Sequence, residues 1–338
     1  MRAAVFHGSG EPLRLEDVPE PEVGPGEVLL RVSACGLCHS DLHYIDHGVP
    51  TFRKPPLILG HEAAGVVAAC GPGVTNLAEG DPALMPALLW CGACRYCWTG
   101  RHNICAHSRM PGNDIDGAFA EYVKAPADQC FKLPPEIALV EGCVIADALT
   151  TPYHAVVDRA RVQPGEVVLV VGCGGVGINA VQIAAAMGAH VIGVDLSEER
   201  LEWARKCGAV ETINPRSDPE YPKTVRRLAD GGADVAIEAI GNPATQQQAF
   251  NAVRTGGRLI LLGYSDKELS LNASRIMYRE IEVIGTLGCP PDGYRRVIDM
   301  VQEGRLRLLV TGRFPLSDIN AGLDALRRSE GLRSVVIP

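Results

Sequence analysis

The stretch Val167-Val168-Leu169-Val170-Val171-Gly172-Cys173-Gly174-Gly175-Val176-Gly177 decides how this chain folds. Its five leading aliphatic residues predict a strand buried on both faces, as in parallel sheets. The next six residues form G-x-G-x-x-G, and the helical pattern Asn179–Met187 follows. Alone, that glycine pattern is a weak signal. Between a strand and a helix it has a physical reading: Gly172 permits a tight turn, Gly174 lets backbone approach a pyrophosphate, and Gly177 lets helix and strand pack closely. Gly175 and Val176 lie at the mouth of that helix, where free N–H groups and the positive end of the dipole favour phosphate.

The same alternation continues downstream. An apolar run at His190–Val194 is followed by a helix near Glu198–Cys207, and further runs lie at Val235–Ile240, Leu259–Leu262 and Val283–Ile284. Strands alternating with helices predict right-handed βαβ units and an α/β, doubly wound Rossmann domain. Asp195 ends the second strand, where a carboxylate can accept the ribose hydroxyls of NAD and repel the 2′-phosphate of NADP. Arg200, one helical turn on, would lie over the adenosine ribose or, in the opposite reading, admit that phosphate. Asp195 has a local alternative as a helix cap, but Ser197 is the better cap.

Upstream the texture is different. Short runs such as Glu27–Val32 and Ala64–Val67 are separated by Gly24-Pro25-Gly26 and Gly71-Pro72-Gly73, a β-rich pattern. Two domains are expected: residues 1–150 with 288–338, β-rich, and residues 151–287, dinucleotide-binding.

At 338 residues, with 46% hydrophobic and 21% charged residues, the composition is that of a globular chain. A net charge of −8 without a long basic run argues against nucleic acid or an anionic membrane as partner. The N-terminus, Met1-Arg2-Ala3-Ala4-Val5-Phe6, lacks the long apolar stretch of a signal peptide, and no window is long enough to span a membrane. Twelve cysteines in so long a chain, several among apolar residues, suggest a reducing cytoplasm rather than a disulfide scaffold.

Four of those cysteines form Cys91-x2-Cys94-x2-Cys97-x7-Cys105. Four thiolates in one short lobe can close a tetrahedral Zn²⁺ site, and a site filled by sulfur leaves no position for substrate, so this zinc is expected to be structural. The competing reading is a set of ordinary buried or bridged cysteines, which spacings of two residues rarely suit.

Two further clusters read Cys35-Gly36-Leu37-Cys38-His39-Ser40-Asp41-Leu42-His43 and Gly60-His61-Glu62-Ala63-Ala64-Gly65. Neither has zinc-finger spacing. Together with the cysteine lobe, the glycine turn and Gly117-Ala118-Phe119-Ala120-Glu121-Tyr122, they closely resemble the zinc-dependent alcohol dehydrogenases of the medium-chain dehydrogenase/reductase superfamily. The resemblance spans almost the whole chain. It implies a GroES-like catalytic domain beside the Rossmann domain, two Zn²⁺ per chain, NAD, and a small alcohol or carbonyl as substrate, bound between the domains. It also implies a homotetramer, with a homodimer as the alternative. Cys38 and His61 take the places of catalytic-zinc ligands, Ser40 that of the hydroxyl touching substrate oxygen, and His43 that of the distal proton acceptor. His39 is placed to meet the cofactor pyrophosphate and Asp41 to orient a ligating imidazole. Glu62 is the near-metal carboxylate that can transiently replace water. Tyr44, Trp90 and Leu287 take the places of pocket-lining residues.

One position departs from the family. A cysteine commonly stands six residues before the Tyr of a Thr-x-Tyr-x-Ala stretch; here that stretch is Thr151–Ala155 and the residue is Asp147. Polyol and sugar dehydrogenases of the family carry Glu there, so Asp147 is the expected third ligand. Cys143 competes for the role, and a purely local hydrogen-bonding duty for Asp147 would leave the metal weak or absent. A carboxylate gives zinc less charge than a thiolate and should leave it a harder, more exchangeable Lewis acid. Other readings are a polyol or hydroxyacyl-CoA dehydrogenase, a metal-free quinone or enone reductase, and a non-catalytic NAD-binding protein. Cys38, His61 and the cysteine lobe weigh against the reductase; Ser40 and His43, without a structural duty, weigh against the last.

Overall fold

The computed structural model describes all residues from Met1 to Pro338. It divides into two compact units, Met1–Thr150 with Gly288–Pro338, and Thr151–Leu287.

In the second unit, six parallel strands run edge to edge in the order Ala209–Ile213, His190–Val194, Val167–Val171, Ala233–Glu238, Val253–Leu261 and Glu282–Gly285. By chain order this is 3-2-1-4-5-6, the doubly wound arrangement, with its switch point beside the end of Val167–Val171. Leu169, Val171, Ile192, Ala236 and Leu259 are buried in one core with Phe250 and Ala249 of the helix Pro243–Ala252. The first helix starts at Gly177, earlier than its apolar pattern, and ends at Ala186. The strand Val253–Leu261 is much longer than its apolar end, because Arg254-Thr255-Gly256-Gly257 hides the strand signal. Its pairing with Ala233–Glu238 shifts register in that stretch.

The first unit is built on the strand Glu27–Gly36. It pairs antiparallel with Glu62–Cys70, and with Tyr122–Pro126 along its first half. Its last residues pair with the C-terminal strand Ser334–Ile337, Val335 opposite Gly36 and Val336 opposite Cys35. Gly36 also lies opposite Glu62. Residues remote in sequence are thereby gathered where Glu27–Gly36 ends and turns into the helix His39–Ile45. A second sheet of three strands packs nearby, with Ala3, Val5, Val28, Leu30, Phe119 and Leu323 among its shared core. No helix is long and apolar enough to cross a membrane.

Candidate metal and cofactor sites

Strand pairing delivers the first cluster. Cys38 follows the end of Glu27–Gly36, and its backbone N–H donates to Asp41 Oδ2 at 3.0 Å, fixing the start of the helix His39–Ile45. Glu62 opens the neighbouring strand with His61 directly before it, and Asp147 follows the short 3₁₀ turn Cys143–Ala146. One ligand atom from each of Cys38, His61, Glu62 and Asp147 lies within 4.8 Å of all the others. His61 is only 1% exposed, and its Nε2 is buried with no hydrogen-bond partner. That nitrogen lies 3.9 Å from Asp147 Oδ2, while Nδ1, on the other side of the ring, lies 3.9 Å from Asp41 Oδ1. An orphaned imidazole nitrogen among a thiol and carboxylates is what a divalent cation would satisfy, since a buried unpaired polar atom is costly. The same negative surroundings act on His61 in the metal-free protein. Burial opposes its charge, but Cys38, then Asp41 and Asp147, overcome this and raise it to about 9. Burial likewise opposes the Cys38 thiolate, but Arg333 and His61 bring the thiol below its ordinary value.

Cys143 does not join this group. It is fully buried, its thiol donates to Val140 O at 3.2 Å, and burial pushes it far up, away from the thiolate a metal requires. Ser40 Oγ lies 3.6 Å from Cys38 Sγ. His43 is half-buried three residues along the same helix, and His39 is exposed at its start. Tyr44 is buried against Met110, Trp90 packs edge-on to His102, and Leu287 is exposed in the other unit.

Two residues of this cluster give no sequence motif. Arg333 and Glu62 form a buried bidentate pair, Nε donating to Oε2 at 3.1 Å and Nη2 facing Oε1. Arg333 lies beside Glu62 because the C-terminal strand is zipped to Gly36, opposite Glu62. The signal in sequence would have been a single arginine in the apolar segment Leu332–Ile337. Tyr294, from the helix Pro291–Gln302, donates to Ala146 O at 2.8 Å and so braces the backbone that presents Asp147. Its ring stacks on Phe131, 4.7 Å between centroids.

The cysteine lobe has the dimensions of a closed site. Cys94 and Cys97 sulfurs lie 3.6 Å apart, Cys94 and Cys105 3.8 Å, and Cys105 and Cys91 3.4 Å. A tetrahedron with Zn–S bonds of about 2.3 Å has edges of about 3.8 Å, whereas a disulfide is about 2.05 Å. None of the twelve cysteines is bridged. Backbone N–H groups of Cys91 and His107 donate to Cys105 Sγ, both at 3.3 Å. Amides of Cys97 and Ala106 hold Cys94 down to about 6, while burial and the neighbouring sulfurs raise Cys97 to about 12. Amides aimed at sulfur stabilise the thiolate form that a metal needs.

At the glycine turn, Gly172 has φ +92°, and a Cβ on Gly177 would lie 1.7 Å from Gly172 O. Both glycines are therefore required by geometry rather than by the motif's name. Asp195 accepts from Cys173 N and Ser197 N, each at 2.9 Å, and Ser197 caps the helix Glu198–Lys206. Arg200 Nη1 is 4.0 Å from Asp195 Oδ2 and would lie 3.6 Å from a Cβ on Gly174, so its guanidinium covers the turn. Across the switch point, the buried carboxylate of Glu238 accepts from Ile240 N, Gly241 N and Thr245 Oγ1 and holds the loop that abuts Gly172. Burial raises its pKa. Nothing in the sequence marks Glu238 apart from its place at a strand end.

Residues 24–135 match the family described as the alcohol dehydrogenase GroES-like domain, and residues 175–303 match that described as zinc-binding dehydrogenase. An alcohol dehydrogenase of Geobacillus stearothermophilus is 34% identical over 331 residues, 98% of this chain and 97% of the relative. A sorbitol dehydrogenase of Bacillus subtilis (strain 168) is 36% identical over 347 residues, 100% of this chain and 97% of the relative. The solved alcohol dehydrogenase of Aeropyrum pernix superposes with a TM-score of 0.93 at 35% identity, covering 100% of both chains. With its Rossmann sheet, its GroES-like unit and its two ligand clusters, the chain belongs to the zinc-dependent alcohol dehydrogenases of the medium-chain dehydrogenase/reductase superfamily.

Proposed function

We propose that this enzyme transfers hydride between an alcohol and NAD, with Cys38, His61 and Asp147 holding a catalytic Zn²⁺ and Cys91, Cys94, Cys97 and Cys105 a structural one. The observation that carries the proposal is the convergence of Cys38, His61, Glu62 and Asp147 within 4.8 Å around an unpartnered, buried Nε2. One thiolate and one carboxylate balance the charge of a dication. Bound there, Zn²⁺ would supply Lewis acidity toward an alcohol or carbonyl oxygen, and NAD on the Gly172–Gly177 turn would supply the hydride acceptor.

The chain's own residues do the rest. Ser40, beside Cys38, takes the hydroxyl proton of the alcohol and passes it on; His43, on the same helix face, receives it toward solvent. Asp41, fully buried, faces Nδ1 of His61 and favours the tautomer that leaves Nε2 for metal. Arg333 holds Glu62 as an anion next to the ligand set without letting it collapse onto the cation. Asp195 and the backbone of the glycine turn select NAD. The carboxylate ligand and the sorbitol dehydrogenase relative favour polyols as the second substrate reading.

The test is NAD⁺ reduction against primary and secondary alcohols, diols, polyols and hydroxyacyl-CoA esters, repeated with NADP⁺. Zinc-dependent alcohol or polyol oxidation is expected, with NAD⁺ preferred by about tenfold or more in kcat/KM, equivalent to about 1.4 kcal/mol. Equal use of NADP⁺ would transfer control of the ribose site to Arg200. Absence of turnover with every alcohol would refute the activity.

A further inference from the structure

The helix that carries Ser40 and His43 extends its chemistry beyond His43. His43 Nδ1 and His47 Nδ1 lie 3.1 Å apart, their rings tilted by 49° with centroids 5.3 Å apart. Two ring nitrogens at that distance share one proton: one donates, the other accepts. His43 is half-buried and His47 is exposed, so the pair runs from the site to water.

We infer that His47 is the outlet of the proton path, a positioning and proton-exchanging partner through which His43 discharges to solvent. This rests on the role of His43 proposed above. His43 begins with a proton on Nδ1, donated to the lone pair of His47 Nδ1. It accepts the substrate-derived proton on Nε2 and becomes an imidazolium. The Nδ1 proton crosses to His47, which releases its own Nε2 proton to water or buffer. Both rings are neutral again with tautomers exchanged, and ring reorientation resets them. No electrons move.

Asp46, beside His47, is paired to Arg327 of the helix Ile319–Arg327 through both carboxylate oxygens, at 2.7 and 2.8 Å. Arg327 also meets Asp324, and its hydrogen bonds hold the Asp46 carboxyl below its ordinary value. The ion pair pins the end of the helix. Ser9 ties the same turn from the other side by donating to Ile45 O at 3.1 Å.

The experiment compares the zinc-loaded wild type with His47→Asn, His47→Phe and His43→Gln. Single-turnover alcohol oxidation is followed by NADH absorbance and by a pH-indicator dye, in weak and in imidazole buffer. Deuterium exchange at imidazole C2 separately reports the titration of His43 without turnover. The His47→Asn side chain keeps an amide donor near the position of Nδ1 but cannot carry a proton. Proton release in His47→Asn and His47→Phe is expected to lag hydride transfer by about tenfold in weak buffer, and imidazole should restore it. The midpoint of His43 exchange should shift in both variants. Full release rates in His47→Asn without imidazole would reduce His47 to a hydrogen-bond prop and overturn the inference. So would an unmoved His43 midpoint in His47→Phe. A slow His43→Gln beside normal His47 variants would sink this inference alone. A normal His43→Gln would sink the proton path as well.

Discussion

Arg333→Met removes one partner of the Arg333–Glu62 pair and leaves the other in place. Glu62 is fully buried and Arg333 is 4% exposed, so water cannot take over from the lost guanidinium. Breaking a buried pair from one side costs about 3–5 kcal/mol, because the remaining charge is uncompensated. The unit that contains them has about 200 residues, for which each kcal/mol moves the midpoint by about 2–4 °C, so a loss of about 6–20 °C in Tm is expected. The control is Glu62→Gln with Arg333→Met, which removes both charges and should recover about half of the loss or more. The assay is thermal unfolding of wild type and both variants with zinc content measured alongside. A midpoint for Arg333→Met within about 2 °C of wild type would refute the reasoning, as would a double variant no better than the single.

Cys94→Ser should lower thermal stability and remove one zinc before it lowers kcat in the protein that remains folded, because the lobe is a closed site; unchanged stability and zinc content would show that it holds no metal. The catalytic cluster should bind zinc with proton release. His61 is raised to about 9 in the metal-free protein, chiefly by the Cys38 sulfur beside it, so at pH 7 the imidazole carries a proton that zinc must expel. Affinity should therefore rise with pH through that range, with about one proton released per zinc by this cluster at pH 7 and fewer above pH 9, read by indicator dye during zinc titration. Zinc binding without proton release at pH 7 would contradict the charge state assigned to His61.

The Rossmann half was legible because its signals are local. Val167–Val171 and the glycines that follow dictate strand, turn and helix within eleven residues, and Ser197 caps the next helix as its position suggests. Cys91, Cys94, Cys97 and Cys105 were legible for the same reason: one short lobe contains the whole site. Cys38, His61 and Asp147 became legible only through family resemblance, since strand pairing, and not sequence spacing, brings them together. Arg333 and Tyr294 gave no signal. Each acts through a contact more than a hundred residues away in the chain, and each reads as an ordinary strand-edge or helix residue. Glycines and polar residues hid the first half of Val253–Leu261, where sheet pairing overrides local preference.

In the proposed mechanism Asp147 completes a second zinc site. Metal analysis of Asp147→Ala beside wild type tests it most directly, with alcohol oxidation measured on the same samples. Wild type should hold two zinc ions per chain, one for each ligand cluster. Asp147→Ala should keep the zinc of the cysteine lobe, lose the other, still bind NADH, and oxidise no alcohol. Asp147→Cys should regain metal, and Asp147→Asn should hold it weakly, because ligand charge and not shape alone sets the affinity. A wild-type enzyme fully active with one zinc per chain, or an Asp147→Ala variant with both zinc ions and unchanged turnover, would contradict the account.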